Sequence, residues 1–551
     1  MLHSEDERVA EGHILGSGFT AHRLLETAGD CPVTGPAVWW AGLLNAEKLA
    51  ARSVGLVCSA LDDLAAASPW LATATPDIAA AFASSAHLRI AGQKPQGFAR
   101  YSGFYRTADG WIRTHANYPH HERALHSALG TSSGIDIADA VASLCAHDAQ
   151  ERIVAAGGIA AQVRSRQQWL SSAEGQAAGS GHWAQFRMRP TGSAPVWKFD
   201  PRAAMPLRGL KVLDLTRVIA GPTATRTLAA LGAQVLRVYG PLLPELPWQY
   251  VDTGFGKRST LLDLKNAAGQ ARIHELLQDA DAVLLGYRPG ALAKAGLGGD
   301  ELAQRYPQLV VAELGAWGFE GPWAQRRGFD SIVQAATGIS EAYRGNGQSP
   351  GALPVQALDH ATGYGLAAAV IALVRARSVQ GRTGSVRFSL ARTAHALFAF
   401  DAPQRPAQFD GGVRLKRVES TFGTLEYHAA IPISVARDLP SAFLFASIVL
   451  ARWLRAGRVQ CVFILLDYQE PLFIQWAFHY LIPCSCISWA ETCHHGVGQV
   501  IFRQYFPRCP KFFVQPATGG ACTHRLYNPD STLADGNHCL TEHLCKENVL
   551  K

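Results

Sequence analysis

The sequence predicts an α/β fold, a parallel sheet wrapped by helices, with a smaller α+β domain ahead of it. Three observations carry this. From residue 209 onward, short β-rich apolar runs alternate with helical patterns, as βαβ units do. Residues 97–188 instead mix a strand–turn–strand with helical stretches. At 551 residues the chain exceeds one ordinary core, so several domains are expected.

Residues 1–96 are Ala-rich and helical in pattern, as in GLLNAEKLAARSVGLVCSALDDLAAA. In the small domain at 97–188, GFYRTADGWIRTHA places two strands about a turn. Residues 189–206, RPTGSAPVWKFDPRAAMP, are broken by prolines and read as a linker. The body at 207–428 then begins. GLKVLDLT is a strand, RVIAGPTATRTLAALGA a turn and helix, and QVLRVYG and RSTLLDL two more strands. NAAGQARIHELLQDA is a helix, DAVLLGY a strand, GGDELAQRYPQ a helix and LVVAELG a strand. Ligands of open parallel sheets bind at the carboxyl ends of the strands, which places the expected chemistry between 206 and about 400. The tail at 429–551 is rich in Cys, His, Phe and Trp and drops the alternation.

Composition narrows the function classes. Hydrophobic residues make up 48% and charged ones 17%, with mean hydropathy +0.02. That describes well-buried globular protein. The net charge of +7 includes no block of like charges of the nucleic-acid-arm kind, and anionic small ligands stay open as partners. The opening MLHSEDERVAEGH has neither the basic nor the apolar region of a signal peptide. The apolar run SAFLFASIVLA at 441–451 is too short to span a bilayer. A soluble intracellular protein is expected, cytoplasmic by default, with mitochondrial and peroxisomal locations open. Three of the eleven cysteines precede residue 460 and the rest crowd the tail; an odd number argues against a disulfide framework.

Several tempting motifs have plainer readings. GTSSG at 130–134 fits a hydrolase elbow but follows a helical run, so Gly130 reads as a helix C-cap. GSGFTA at 16–21 lacks the βαβ setting of a dinucleotide site. The tail's Cys493, His494, His495, Cys522, His524, His538, Cys539, His543 and Cys545 show no regular four-ligand spacing, and no metal site is expected. Asp330, in RRGFDSIVQAATG, precedes an apolar helix and reads first as an N-cap, second as an active carboxylate. Asp359, in VQALDHATGYG, is a lone charge among small and apolar residues. It could cap the helix it opens. The glycines after it suit close approach of a ligand, and a helix start stabilises negative charge.

The chain resembles the family III CoA-transferases, also called the CaiB/BaiF family. PLRGLKVLDLTRVIAGP (206–222), GKRSTLLDLK (256–265), GYRPGALAKAGLG (286–298), RRGFDSIVQAATG (326–338), VQALDHATGYG (355–365) and GRTGSVRFSLARTA (381–394) follow one another as in that family. YRTADGWIRTHANYPHHERAL and IVAAGGIAAQVRSRQQWL resemble its smaller domain. The resemblance implies a Rossmann-like body, with residues 1–96 a degenerate first copy of the large domain. It implies Asp359 as the nucleophile, taking CoA from an acyl-CoA thioester to a free carboxylic acid through an aspartyl anhydride and an aspartyl-CoA thioester. Coenzyme A is then a co-substrate, with no permanently bound cofactor. The residues resembling the family's CoA contacts are Ala220, Leu262, Lys265, Tyr287, Arg288, Lys294 and Arg327. The resemblance further implies a homodimer, or a pseudo-dimer within one chain; from charge pattern and apolar-run length no nucleic-acid or membrane partner is expected.

Departures are visible too. Tyr239 and Gly240 stand where the family carries an acidic–basic pair after the second strand. No glycine run is present to close over Asp359. One alternative is α-methylacyl-CoA racemisation, which by resemblance needs a His where this chain has Phe329. The other is a CoA-binding protein without activity.

Overall fold

Each apolar run of the body becomes a strand of one seven-stranded sheet. The computed structural model describes residues 33–435, except 41, 67–70, 133–135, 192–195, 202, 244, 346–348, 404–412 and 430–433, together with two short strands in the tail. In chain order the elements that build the site are helices α1 (Ala46–Ala65) and α2 (Thr75–Phe82), then strands β1 (Phe104–Arg106) and β2 (Trp111–Thr114). Helices α3 (Pro119–Leu129) and α4 (Ala146–Ala155) and strands β3 (Ala160–Gln162) and β4 (Gln185–Pro190) follow. The body comprises β5 (Lys211–Leu215), α5 (Ala220–Ala230), β6 (Gln234–Tyr239), β7 (Arg258–Leu261), α6 (Ala267–Gln278), β8 (Ala282–Leu285), α7 (Gly299–Arg305) and β9 (Val310–Gly315). It closes with α8 (Asp330–Thr337), α9 (Ala357–Gln380), β10 (Arg382–Ser389) and α10 (Leu390–Phe398).

The sheet order is β7-β6-β5-β8-β9-β10-β4. All pairs are parallel except β10 with β4, where Ser385 lies opposite Arg187. The fold is α/β as expected. Buried on both faces, the inner strands read as unbroken apolar runs such as Ala282–Leu285. The order reverses between β5 and β8, the switch point of a doubly wound sheet.

One core layer, with Leu277, Ile273 and Leu302, joins α6 and α7 to the sheet. The other centres on α9, whose residues from Ala357 to Val374 are all buried. A helix apolar all round belongs in an interior. Although α9 is long and apolar enough to cross a membrane, its most apolar stretch is wholly buried in the protein, and only its last residues are exposed. Leu49, Leu56 and Leu61 of α1 share its core, each such side chain worth about 1.5–3 kcal/mol on burial.

The smaller domain is an antiparallel sheet, β1-β2-β3, whose core holds Ile112, Leu125 and Ile153. Gly130 ends α3 in the left-handed region at φ +64°, the cap its sequence suggested. β4 crosses the boundary expected at residue 188 and belongs to the large sheet. Residues 450–551 make a separate unit, in which Phe513–Gln515 pairs antiparallel with Arg525–Tyr527. The GSGFTA motif, the apolar run at 441–451 and the Cys/His residues of the tail lie outside the described residues.

Candidate active site

The switch point is pinned by buried polar groups. Asp214 on β5 is fully buried and accepts from Thr216 N (3.0 Å), Thr225 Oγ1 (2.5 Å) and Lys257 Nζ (3.1 Å). Lys257 also donates to the Pro222 carbonyl at 2.9 Å, which ties the start of α5 to β5. Between them Val218 adopts φ +69°, a strained conformation for a β-branched residue. Its N–H donates to Glu245 Oε2 at 3.1 Å. Glu245 also accepts from Tyr118, at the head of α3, and lies 3.6 Å from Arg217. The smaller domain is thereby bonded to the turn after β5.

Asp359 is the third residue of α9 and 6% exposed. Among the described residues no donor reaches its carboxyl, and burial, then the neighbouring Asp330, push its pKa well up. The helix N-cap is Gln356, so Asp359 does not cap the helix it opens. Asp330 also departs from expectation. It is the first residue of α8, behind N-cap Phe329, and makes no capping bond to its own helix. It caps α9 instead: Asp330 Oδ2 accepts from Asp359 N at 3.0 Å. Burial raises the Asp330 pKa to about 6.

The glycines after Asp359 serve packing rather than ligand approach. A Cβ on Gly363 would stand 2.4 Å from the Ala220 carbonyl oxygen, and one on Gly365 2.4 Å from the Trp183 ring. The first contact sets α9 against the start of α5. Because residues four apart share a helix face, it brings the turn of Asp359 beside the switch point.

The expected CoA contacts divide. Ala220 is the buried first residue of α5. Tyr287 and Arg288 follow Gly286, whose N–H donates to Leu215 O at 3.1 Å, so they leave β8 at the switch point. Arg288 donates to Gln325 O (3.0 Å) and Arg327 to Gly157 O (3.2 Å). Burial and then Arg288 lower the Arg327 pKa. Leu262 packs under the α6 layer, while Lys265 and Lys294 are exposed. No described contact links these three to Asp359.

Sequence reasoning missed Arg217 and a histidine group. Arg217 directly follows the first strand, in DLTRVIAGP, where the switch-point rule points. His115, His120 and His121 had no local signal. His115 stacks on Phe329 with ring centroids 3.9 Å apart, and His121 meets the same ring at 6.1 Å. Burial, then Arg113, hold the His115 pKa at about 3. For His121 burial, His120 and His115, then Arg327 and Arg217, do the same. Asp330 and Asp359 form a buried carboxyl pair, while Arg217 and Arg327 act on His121, and Arg288 on Arg327.

The family model for CoA-transferase family III matches residues 207–429. That segment is similar to CoA-transferase family III. Over 209 residues the chain is 35% identical to a probable fatty acyl-CoA transferase of Mycobacterium tuberculosis, covering 36% of this chain and 53% of that protein. Over 191 residues it is 36% identical to the acetyl-coenzyme A transferase nodX of Hypoxylon pulicicidum, covering 33% and 32%. The orthorhombic crystal structure of Rv3272 from M. tuberculosis, 35% identical, covers 35% of this chain and 57% of its own, with TM-score 0.33. The chain therefore spans about a third to just over half the length of these relatives. The carboxyl pair, the switch-point turn and the three arginines all lie inside the family III segment; the histidines lie outside it.

Proposed function

We propose that this chain moves CoA from an acyl-CoA thioester to a free carboxylic acid, with Asp359 as the covalent carrier. One observation supports this above the others. A buried carboxyl that accepts no hydrogen bond from the described residues stands in the first turn of a helix, paired with a second buried carboxyl. Such a carboxylate, once ionised, is poorly solvated and correspondingly nucleophilic. In this reading Asp359 attacks the thioester carbonyl carbon, the C–S bond breaks, and CoA leaves as thiolate. The thiolate then attacks the aspartyl carbonyl of the mixed anhydride, releasing the donor carboxylate and leaving an aspartyl-CoA thioester. The acceptor acid reverses both steps. Arg217, Arg288 and Arg327 suit the pyrophosphate and 3′-phosphate of CoA.

Asp359→Ala should abolish transfer from succinyl-CoA to a free acid without loss of fold. Hydroxylamine should convert Asp359 of the wild type, mixed with succinyl-CoA, to a hydroxamate visible by mass spectrometry. Near-wild-type turnover in the variant would sink the assignment.

One observation favours a second reading. His115 lies flat on Phe329, the position where the resemblance asks racemases for a histidine. Incorporation of solvent deuterium α to the thioester would select that isomerase reading. For the transferase we expect an intracellular location, where CoA thioesters are made. Assembly is expected as a homodimer or a pseudo-dimer within the chain.

A further inference from the structure

We propose that Asp330 is a positioning residue for Asp359, an ionised carboxylate that fixes the first turn of α9 and drives its neighbour toward the uncharged, acylated state. The inference rests on Asp359 being the nucleophile.

The hydrogen bonds assign the charge. Gln334 Oε1 accepts from Leu353 N at 2.9 Å, which fixes the amide orientation. The Gln334 nitrogen therefore faces Asp330 and donates to Oδ1. Oδ2 accepts from Asp359 N at 3.0 Å. Both oxygens accept, the pattern of an ionised carboxyl. Asp330 is fully buried, so its charge is poorly screened. Two adjacent buried carboxyls resist carrying two charges, and the pair titrates as one system. Asp330, with two donors, holds the charge; Asp359, with none among the described residues, holds the proton.

Other charged groups around the pair are engaged elsewhere. On α9, His360 and Tyr364 are kept neutral by burial and lie against Phe82. From α5, Arg226 faces Asp252 and the His428 carbonyl. From α10, Arg392 donates to the Ser180 carbonyl. Near α8, Arg164 pairs with Glu174, and His115 is uncharged. Glu47 of α1 accepts from Trp40 N, while Glu313 of β9 pairs with Arg387 of β10.

The charge balance gives the consequence. Once Asp359 has lost its proton to solvent, its attack on a neutral thioester yields a neutral anhydride and a thiolate, which moves one negative charge off Asp359. Repulsion from Asp330 is relieved in that step. It is relieved equally in the aspartyl-CoA thioester, so both covalent states gain over the free carboxylate.

The test uses the full chain and infrared titration of buried carboxyl C=O bands, with Asp359→Asn subtracted to isolate the Asp359 band. In Asp330→Asn the Asp359 midpoint should fall by roughly tenfold or more in Ka terms. The acid limb of transfer from succinyl-CoA should move to lower pH with it. If the Asn variant does not fold, Asp330→Ser also removes the charge while offering Asp359 N an acceptor. An unmoved midpoint in a folded neutral variant overturns the proposal and leaves Asp330 a structural cap. Activity in Asp359→Ala would overturn the transferase reading instead, and the infrared midpoint would still report on the pair.

Discussion

Arg327 is caught between two demands. Its guanidinium donates to the Gly157 carbonyl, yet burial and nearby Arg288 oppose its charge, so an anion between the two arginines relieves both. Arg327→Gln should weaken CoA binding by about 1.5–3 kcal/mol, the range for a hydrogen bond to a charged group. Lys265→Gln, at an exposed position, should cost about 0–1 kcal/mol. Titration calorimetry with CoA checks both, and an unchanged dissociation constant for Arg327→Gln would put the phosphates elsewhere. At this scale the sequence was half legible. Asp359 stood out because a charge among Ala, Gly and Leu requires a reason. The job of Asp330 was hidden, because its partner lies 29 residues away and an Asp before an apolar helix has a local explanation ready. The glycines misled for a related reason, since sequence cannot tell room left for a ligand from room left for a helix.

Helix pairs turn those glycines into a prediction. Gly363→Ala would set a methyl 2.4 Å from the Ala220 carbonyl oxygen, backbone that cannot swing aside. The α5–α9 pair must part, at a cost of about 1–3 kcal/mol for overpacking. Urea unfolding should show that loss. The turn of Asp359 moves with α9, so CoA transfer should fall more than stability does. The inner strands of the body were legible because two-sided burial writes them as apolar runs. β4 was not: QFRMRP is an edge strand, half-buried and mixed in pattern, and resembles the loop beside it. α1 was legible as a helix but not as a partner of α9, because an Ala-rich face fits many surfaces.

Three histidines weaken the folded molecule in acid, while the raised carboxyls Asp330 and Asp359 pull the other way. His115, His121 and His360 are held near pKa about 3 by burial, against about 6.5 in an unfolded chain. The unfolded state binds more protons below 6.5, so these groups leave stability untouched above that pH and erode it as pH falls toward 3. Each contributes about 1.4 kcal/mol per pH unit within that window. Measured by urea midpoints from pH 7 to pH 5, His360→Asn should gain stability relative to the wild type as pH falls. A slope equal to that of the variant would show that His360 is solvated in the native state.

The edge strand β4 reaches furthest. It precedes the family III segment yet supplies the last rung of its sheet, covering one side of β10. A gene fragment trimmed to residues 207–429 would uncover that side as a sticky template for other chains, and would also strip α1 from α9. Such a fragment should come out of a bacterial host as aggregate, where the full chain stays dispersed. What evolution marks as one family here is not a part that can be cut free and expected to stand.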